Sequence, residues 1–116
     1  MIDTPTDCPF DGYVIDGDNV TIYETKYRKT YTYEDIVRFG TVKLYKNKTD
    51  KILSILGKNT SNNRKIAEAY YVLTFKGSNK VMKISYWKVK ELLESKTLKY
   101  EYSLERANNY NGRLTY

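Results

Sequence analysis

The sequence predicts a small single-domain α+β protein, with a mostly antiparallel sheet of hairpins and two or three short helices packed on it. The chain has 116 residues, which is room for one hydrophobic core. Short runs with apolar residues at every second position recur along it, separated by turn residues such as Gly and Asn. Stretches with apolar residues at helical spacing lie between these runs. Interspersed hairpins and helices are typical of α+β folds.

The first elements are two strands, Gly12 to Asp16 and Asn19 to Thr25, joined by a turn at Gly17 and Asp18. Glycine tolerates positive φ, so this pair predicts a hairpin. Both prolines of the chain and several aspartates precede it, and we expect residues 1–11 to form an irregular acidic lead-in. The domain itself is expected to span 12–106.

The middle of the chain predicts a strand, two helices and a loop. Alternation over 27–33 is typical of a strand, and the Thr32 to Asp35 spacing resembles a capping box that starts a helix from Tyr33 to Phe39. Gly40 ends that helix. A strand from Thr41 to Lys46 is expected next. A helix follows, with Asn47 or Thr49 as its cap and Gly57 as its end, and it contains Ile52, Leu53, Ile55 and Leu56. The residues from Lys58 to Lys65 are expected to form a polar loop.

The second half predicts a hairpin, a helix and a strand. The hairpin joins Ala67–Lys76 to Lys80–Ser85, and the helix runs from Tyr86 to about Ser95. The strand from Thr97 to Leu104 follows, with Leu98, Tyr100, Tyr102 and Leu104 on one apolar face that should lie under the helix. A parallel βαβ arrangement over 79–104 stays open as an alternative. The Asn-rich tail, 107–116, is expected to fray.

Charge is distributed unevenly along the chain. The net charge is +6, but residues 1–25 hold six acidic residues and no Lys or Arg. Residues 26–65 hold eleven basic residues against three acidic ones, and residues 66–116 hold nine against five. A basic body attracts polyanions, of which nucleic acid is the commonest. The alternatives are that the acidic head folds back on this body, or that lysine solubilises a surface rich in tyrosine.

The residue types limit the chemistry. The chain has no histidine, which is the commonest general base and a frequent zinc ligand, so we expect a non-catalytic protein without cofactor or metal. Cys8 lies among aspartates that disfavour its thiolate. Asp16 and Asp18 lack the rest of a calcium loop, and residues 57–60 resemble the end of a phosphate-binding loop only superficially, because Ile52 stands where an earlier glycine is needed.

Basic and aromatic residues alternate in two segments. Exposed rings can stack on bases while Lys and Arg contact phosphates, so this pattern favours nucleic-acid binding. The candidate nucleic-acid-binding residues are Arg28, Lys29, Tyr31, Trp87, Lys88 and Lys90. The loop supplies three candidates for additional phosphate contacts, Lys58, Arg64 and Lys65.

The first functional hypothesis is therefore a small basic protein that binds nucleic acid without catalysis. The alternative is a protein-interaction inhibitor, such as a virus- or mobile-element-encoded blocker of a host defence complex, because 13 tyrosines would suit a protein interface. The expected partner is nucleic acid, a host protein or a nucleoprotein complex, and homodimerisation through a strand edge stays open. No run approaches the roughly 20 apolar residues of a membrane span, and a single cysteine fits a reducing cytoplasm.

Overall fold

The computed structural model describes residues 2–3, 10–102 and 108–114, and these residues form eight strands and three helices. The predicted α+β class is confirmed. In chain order the elements are β1 (Ile2–Asp3), β2 (Gly12–Asp16), β3 (Asn19–Arg28), α1 (Tyr33–Phe39), β4 (Thr41–Tyr45), α2 (Lys46–Ile55), β5 (Lys65–Phe75), β6 (Val81–Ser85), α3 (Tyr86–Glu94), β7 (Leu98–Glu101) and β8 (Asn109–Arg113).

The described strands form two sheets. The larger sheet has the order β1-β2-β3-β5-β6, and the smaller has the order β4-β8-β7. Neighbouring strands are antiparallel except β3 and β5, which run parallel through the middle of the larger sheet. The chain between β3 and β5 forms α1, β4 and α2. The carboxyl ends of the two central strands therefore meet at the same edge of the sheet.

The hydrophobic core lies on one face of the larger sheet. Alternate residues of its two central strands are buried there, including Ile22 and Leu73, together with Leu44 of β4, Ile52 of α2 and Val89 of α3. Helix α3 contacts β5, β6 and β7, and α2 contacts β4 and α3. The residues on the opposite face are at least partly exposed; they include Tyr23, Tyr27, Tyr70, Val72 and Lys83.

The first hairpin and helix α1 form as their turn residues predict. Strands β2 and β3 pair antiparallel around Gly17, whose φ is 60°. At α1, the Thr32 side chain accepts a hydrogen bond from the Asp35 backbone N–H, and the Asp35 carboxylate accepts one from the Thr32 N–H. Gly40 ends the helix with a φ of 64°. These contacts satisfy backbone groups at the ends of α1.

Two expectations in the first third need correction. Residues 29–32 are not a strand, because β3 ends at Arg28 and Thr32 is committed to capping α1. The lead-in is not wholly irregular, since β1 pairs with the start of β2. Residues 4–9, including Cys8, lie outside the described residues.

Helix α2 starts earlier than its predicted cap. It begins at Lys46, directly after β4, and its N-cap Tyr45 makes no side-chain hydrogen bond. Asn47 and Thr49 therefore lie inside the helix rather than at its cap, and Thr49 is buried in the core. Gly57 follows the end of the helix with a φ of 82°, a conformation that favours glycine.

The second predicted hairpin is confirmed, because β5 and β6 pair antiparallel across a turn that contains Gly77. The βαβ alternative over 79–104 is wrong. Strand β6 belongs to the larger sheet and β7 to the smaller one, so α3 connects two different sheets. Tyr100 and Tyr102, expected in the core, are 51% and 62% exposed. Leu104 lies outside the described residues.

The expectation of a frayed tail is wrong for residues 109–113. They form β8, the central strand of the smaller sheet, which pairs with β4 on one side and β7 on the other. Gly112 allows β8 to lie close to the backbone of Thr97, because a side chain at this position would overlap the Thr97 carbonyl. A segment that contains Asn and Gly can therefore be an ordered strand when its neighbours demand close approach.

Candidate functional site

The structure divides the predicted binding residues between two ends of strand β5. Arg28 is paired with Phe75, the last residue of β5, whereas the indole N–H of Trp87 donates to the Ala67 carbonyl at 2.9 Å. Ala67 and Phe75 are eight residue steps apart along this strand, which corresponds to about 26 Å. Arg28, Lys29 and Tyr31 therefore cannot share one small site with Trp87, Lys88 and Lys90.

The Trp87 group, which comprises Trp87, Lys88 and Lys90, is engaged in contacts within the protein. The Trp87 ring packs against Gly57, and the Lys90 ammonium lies 5.5 Å from the ring centroid. Lys88 pairs with Glu91 at 3.4 Å. With its N–H bonded and its ring contacted by Lys90, Trp87 mainly anchors α3 to the start of β5.

The polar loop lies at the same end of β5 as the Trp87 group. Its hydrogen bonds centre on Thr60, whose hydroxyl accepts from the backbone N–H groups of Asn62 and Arg64. Lys65 is the first residue of β5, and Lys58 pairs through its backbone with Ile66. A cavity of about 200 Å³ lies beside this loop and is lined by Phe10, Tyr13, Ile15, Val20, Ile22, Thr60, Asn62, Arg64 and Ile66.

The opposite end of β5 contains a cavity with a volume of about 300 Å³. We call it the basic pocket; it is lined by Arg28, Tyr31, Ile36, Phe39, Thr41, Val42, Lys43 and Leu73. Buried Val42 and Leu73 provide apolar lining, and Arg28 and Lys43 provide positive charge. Among the described residues, no acidic side chain is part of this lining. It therefore has the composition of a site for an anion that also carries an apolar group.

More cations surround the basic pocket. Lys29 follows Arg28 along the chain, and the Lys76 backbone N–H donates to the Arg28 carbonyl at 3.0 Å. Lys76 lies there because β3 and β5 are parallel and end together. Among the described residues, no carboxylate forms an ion pair with Arg28, Lys29, Lys43 or Lys76. Within the described part of the chain, no ion pair therefore neutralises the charge of these four residues.

The acidic residues of α1, Glu34 and Asp35, both have partners. Glu34 pairs with Lys80, and Asp35 pairs with Arg38 at 2.9 Å. The hydrogen bond from Lys80 lowers the pKa of Glu34, and the hydrogen bond from the Thr32 backbone N–H lowers that of Asp35. Their charge is thus balanced locally by Lys80 and Arg38.

Two partly exposed rings stand at the pocket. Tyr31 and Phe39 are 49% and 47% exposed, and they meet edge to face with centroids 5.4 Å apart. The Arg38 guanidinium lies 5.4 Å from the Phe39 centroid, whereas no described cation lies over Tyr31. Tyr31 is therefore the ring more available for stacking on a ligand.

A buried tyrosine hydroxyl contacts Arg28. Its guanidinium donates to the Tyr71 hydroxyl at 3.4 Å, and Tyr71 is buried. Burial raises the pKa of Tyr71, so this hydroxyl stays protonated. Glu24 lies on the same inner face of β3, is almost fully buried, and accepts from Lys48 at 3.4 Å. Burial raises the pKa of Glu24, whose second carboxylate oxygen has no hydrogen-bond partner among the described residues.

The outer face of the larger sheet carries a second aromatic group that the sequence interpretation missed. Tyr23 and Tyr70 stack with centroids 5.9 Å apart, and the Lys83 ammonium lies 4.0 Å from the Tyr70 centroid. The alternation of β3 and β5 places both rings outward, but their contact depends on the parallel register. Because Lys83 lies over these rings, they are less available to a ligand than Tyr31.

The sequence interpretation also missed Phe39, Lys43 and Lys76 as site residues. Lys43 lies between buried Val42 and Leu44, so its outward position follows from strand alternation, but nothing local connects it to Arg28. Lys76 reaches the site only through the pairing of β3 with β5. The basic pocket is a product of long-range contacts.

The chain matches no protein-family model, no curated protein and no solved structure. Within the described part of the chain, no cluster of three or more Cys, Asp or Glu side chains could hold a metal ion. No helix in those residues is long and apolar enough to cross a membrane.

Proposed function

We propose that this protein binds single-stranded nucleic acid without catalysis, through the basic pocket. Arg28 and Lys43 contact phosphate oxygens, Lys29 and Lys76 extend the contact along the backbone, and Tyr31 stacks on a base. The observation that supports this proposal most directly is the convergence of two cations and two partly exposed rings in one cavity, to whose lining the described residues contribute no carboxylate.

A single strand fits these groups better than a duplex. Stacking on Tyr31 requires a base whose face is free, and bases in a duplex are already stacked on each other. The flat face of a base and a phosphate also match the mixed lining of the pocket, where apolar Leu73 and Val42 lie beside Arg28 and Lys43. Electrostatic attraction by the surrounding lysines would bring the strand to this end of the sheet.

The Trp87 group offers the matched comparison for a test. Lys29→Glu/Lys43→Glu/Lys76→Glu changes three exposed lysines at the pocket, and Lys58→Glu/Lys88→Glu/Lys90→Glu makes the same charge change at the other end of β5. Fluorescence anisotropy of a labelled single-stranded oligonucleotide measures binding across a salt series. We expect the pocket variant to lose at least about tenfold in affinity and about 2 units of salt slope, since each phosphate contact contributes roughly 0.7.

The comparison variant should retain most of its affinity and salt slope. Equal losses in both variants would show that net charge alone drives binding, and would contradict the assignment of the pocket. No binding by the unmodified protein at low salt would refute the proposal. Tyr31→Leu tests stacking, with an expected loss of about fivefold or more, and Tyr102→Leu, at another exposed ring, is its control.

A second candidate function is inhibition of another protein or a nucleoprotein complex. Tyr45, Tyr100 and Tyr102 support it, because all three are largely exposed at the same end of the smaller sheet. Exposed tyrosines are favoured anchors in protein interfaces. If single strands fail to bind and a protein partner is identified, loss of its binding on Tyr100→Ala/Tyr102→Ala would favour this function. Such binding should depend on salt less steeply than phosphate contacts do.

A further inference from the structure

We propose that the basic pocket receives a nucleotide bearing a terminal phosphomonoester, either as the phosphorylated end of a strand or as a free mononucleotide. This inference rests on the proposed nucleic-acid binding and specifies which part of the ligand enters the cavity. The other phosphates of a strand would lie outside the pocket, near Lys29 and Lys76.

The size of the cavity supports occupation by one nucleotide. Its volume, about 300 Å³, is at the lower end of the range for small-ligand pockets, roughly 300–1,000 Å³. Core residues close part of it, because Leu73 and Val42 are 2% and 5% exposed. A cavity of this kind accommodates a chain end more readily than the middle of a strand, which needs an entrance and an exit.

The charge of the pocket supports a monoester rather than a diester. An internal phosphodiester carries one negative charge, whereas a phosphomonoester carries about −1.5 to −2 at neutral pH. Two cations, Arg28 and Lys43, line the cavity, and the part of the chain that the structure describes contributes no carboxylate to its lining. A doubly charged phosphate satisfies both cations at once and adds charge-assisted hydrogen bonds that a diester makes less strongly.

The rings account for the nucleoside part of the ligand. Tyr31 and Phe39 are each about half exposed and line the same cavity as Arg28 and Lys43. A base stacked on Tyr31 would leave the phosphate within the reach of the two cations, because all four side chains share one lining. Inorganic phosphate alone would lack this stacking contact and should bind more weakly than a mononucleotide.

The test compares four oligonucleotides of one sequence with the full chain. Two carry a phosphate or a hydroxyl at the 5′ end with a fluorophore at the 3′ end, and two carry the same groups at the 3′ end with the fluorophore at the 5′ end. We expect one phosphorylated end to bind about tenfold more tightly than its hydroxyl counterpart. This advantage should shrink below about pH 6, where the monoester takes up a proton.

Competition and variants separate the sources of the ligand. Adenosine monophosphate and uridine monophosphate should displace the phosphorylated strand, and inorganic phosphate should do so only at higher concentration. Lys43→Met should abolish the preference for the phosphorylated end, whereas Lys51→Met, an exposed lysine on α2, should leave it unchanged. Arg28→Met should act like Lys43→Met, and the exposed position of Lys43 makes its variant the safer one for folding.

The outcomes distinguish this inference from the proposed function. If all ends bind equally, and the pocket variant Lys29→Glu/Lys43→Glu/Lys76→Glu weakens all of them, strand binding stands and the preference for a terminal phosphate is wrong. If mononucleotides bind with the expected Lys43 dependence but strands do not, the terminal-phosphate site is supported and the proposed strand binding is wrong. Absence of binding by strands and mononucleotides alike overturns both.

Discussion

Removal of the cation beside buried Glu24 should destabilise the fold in a pH-dependent way. The Glu24 carboxylate is 2% exposed and has one ion-pair partner among the described residues, the Lys48 ammonium at 3.4 Å. The Lys48 side chain is 42% exposed, so Lys48→Met loses little packing. The variant leaves a buried carboxylate without its cation, which is the costly way to break a buried pair.

The magnitude follows from the distance and the exposure. Two unit charges 3.4 Å apart attract by roughly 5 kcal/mol at an effective dielectric constant of about 20. Solvent at the exposed Lys48 ammonium screens much of this attraction. We therefore expect Lys48→Met to lower the free energy of unfolding by about 1–2 kcal/mol at pH 7.

The pH dependence follows from the protonation of Glu24. Burial raises the pKa of Glu24 above its ordinary value of 4.5, and Lys48 opposes that shift. The folded state therefore binds this proton more tightly than the unfolded state. The stability that protonated Glu24 contributes is fully present below about pH 4.5. It is lost as the pH rises through the folded-state pKa of Glu24. Lys48 matters only while Glu24 is charged, so Lys48→Met should cost much less at pH 4 than at pH 7.

Urea denaturation at pH 7 and pH 4 measures both values, and Lys51→Met provides a control on the exposed side of the same helix. Glu24→Gln removes the buried charge, so adding Lys48→Met to it should cost almost nothing, which gives a double-mutant cycle. An equal loss for Lys48→Met at both pH values, or an additive double variant, would refute the electrostatic explanation.

Two further predictions test the smaller sheet and the support of the pocket. Gly112→Ala should lower the free energy of unfolding by about 2 kcal/mol or more, because its methyl group would overlap the Thr97 carbonyl; Gly77→Ala, where a Cβ has open space and only the φ of 68° opposes it, should cost less in the same denaturation assay. Tyr71→Phe removes the hydroxyl that holds Arg28 and should weaken oligonucleotide binding about two- to fivefold. Unchanged affinity in a folded Tyr71→Phe protein would show that Arg28 needs no such support.

Elements with strong local signals were predictable. The capping box at Thr32 and Asp35, the glycine turns and the period-2 runs all depend on residues close together in the chain. The start of α2 was not predictable from local signals, because β4 leads directly into the helix. Tertiary packing, not a side-chain cap, determines the first turn of α2. Buried Thr49 illustrates this, since its position in the core overrides its preference for a cap.

The candidate site was predictable only in part. Local alternation of basic and aromatic residues predicts Arg28, Lys29 and Tyr31 as binding residues, and Arg28 and Tyr31 line the basic pocket. The same pattern selected Trp87 and its neighbouring lysines, which the fold places at the other end of β5. Sequence spacing alone gives no distance between segments that are 59 residues apart, as Arg28 and Trp87 are.

The sequence by itself determined the local elements, the uneven charge and the absence of histidine, because these are properties of residue type and short-range spacing. The tertiary structure decided which of those elements meet. The parallel pairing of β3 with β5 brings Lys76 beside Arg28. Strand β4 contributes Lys43 to the cavity that Arg28 also lines. Strand β8 becomes the centre of a sheet for the same reason, because its backbone groups pair with β4, which is distant in sequence, and with β7, which lies close to Gly112.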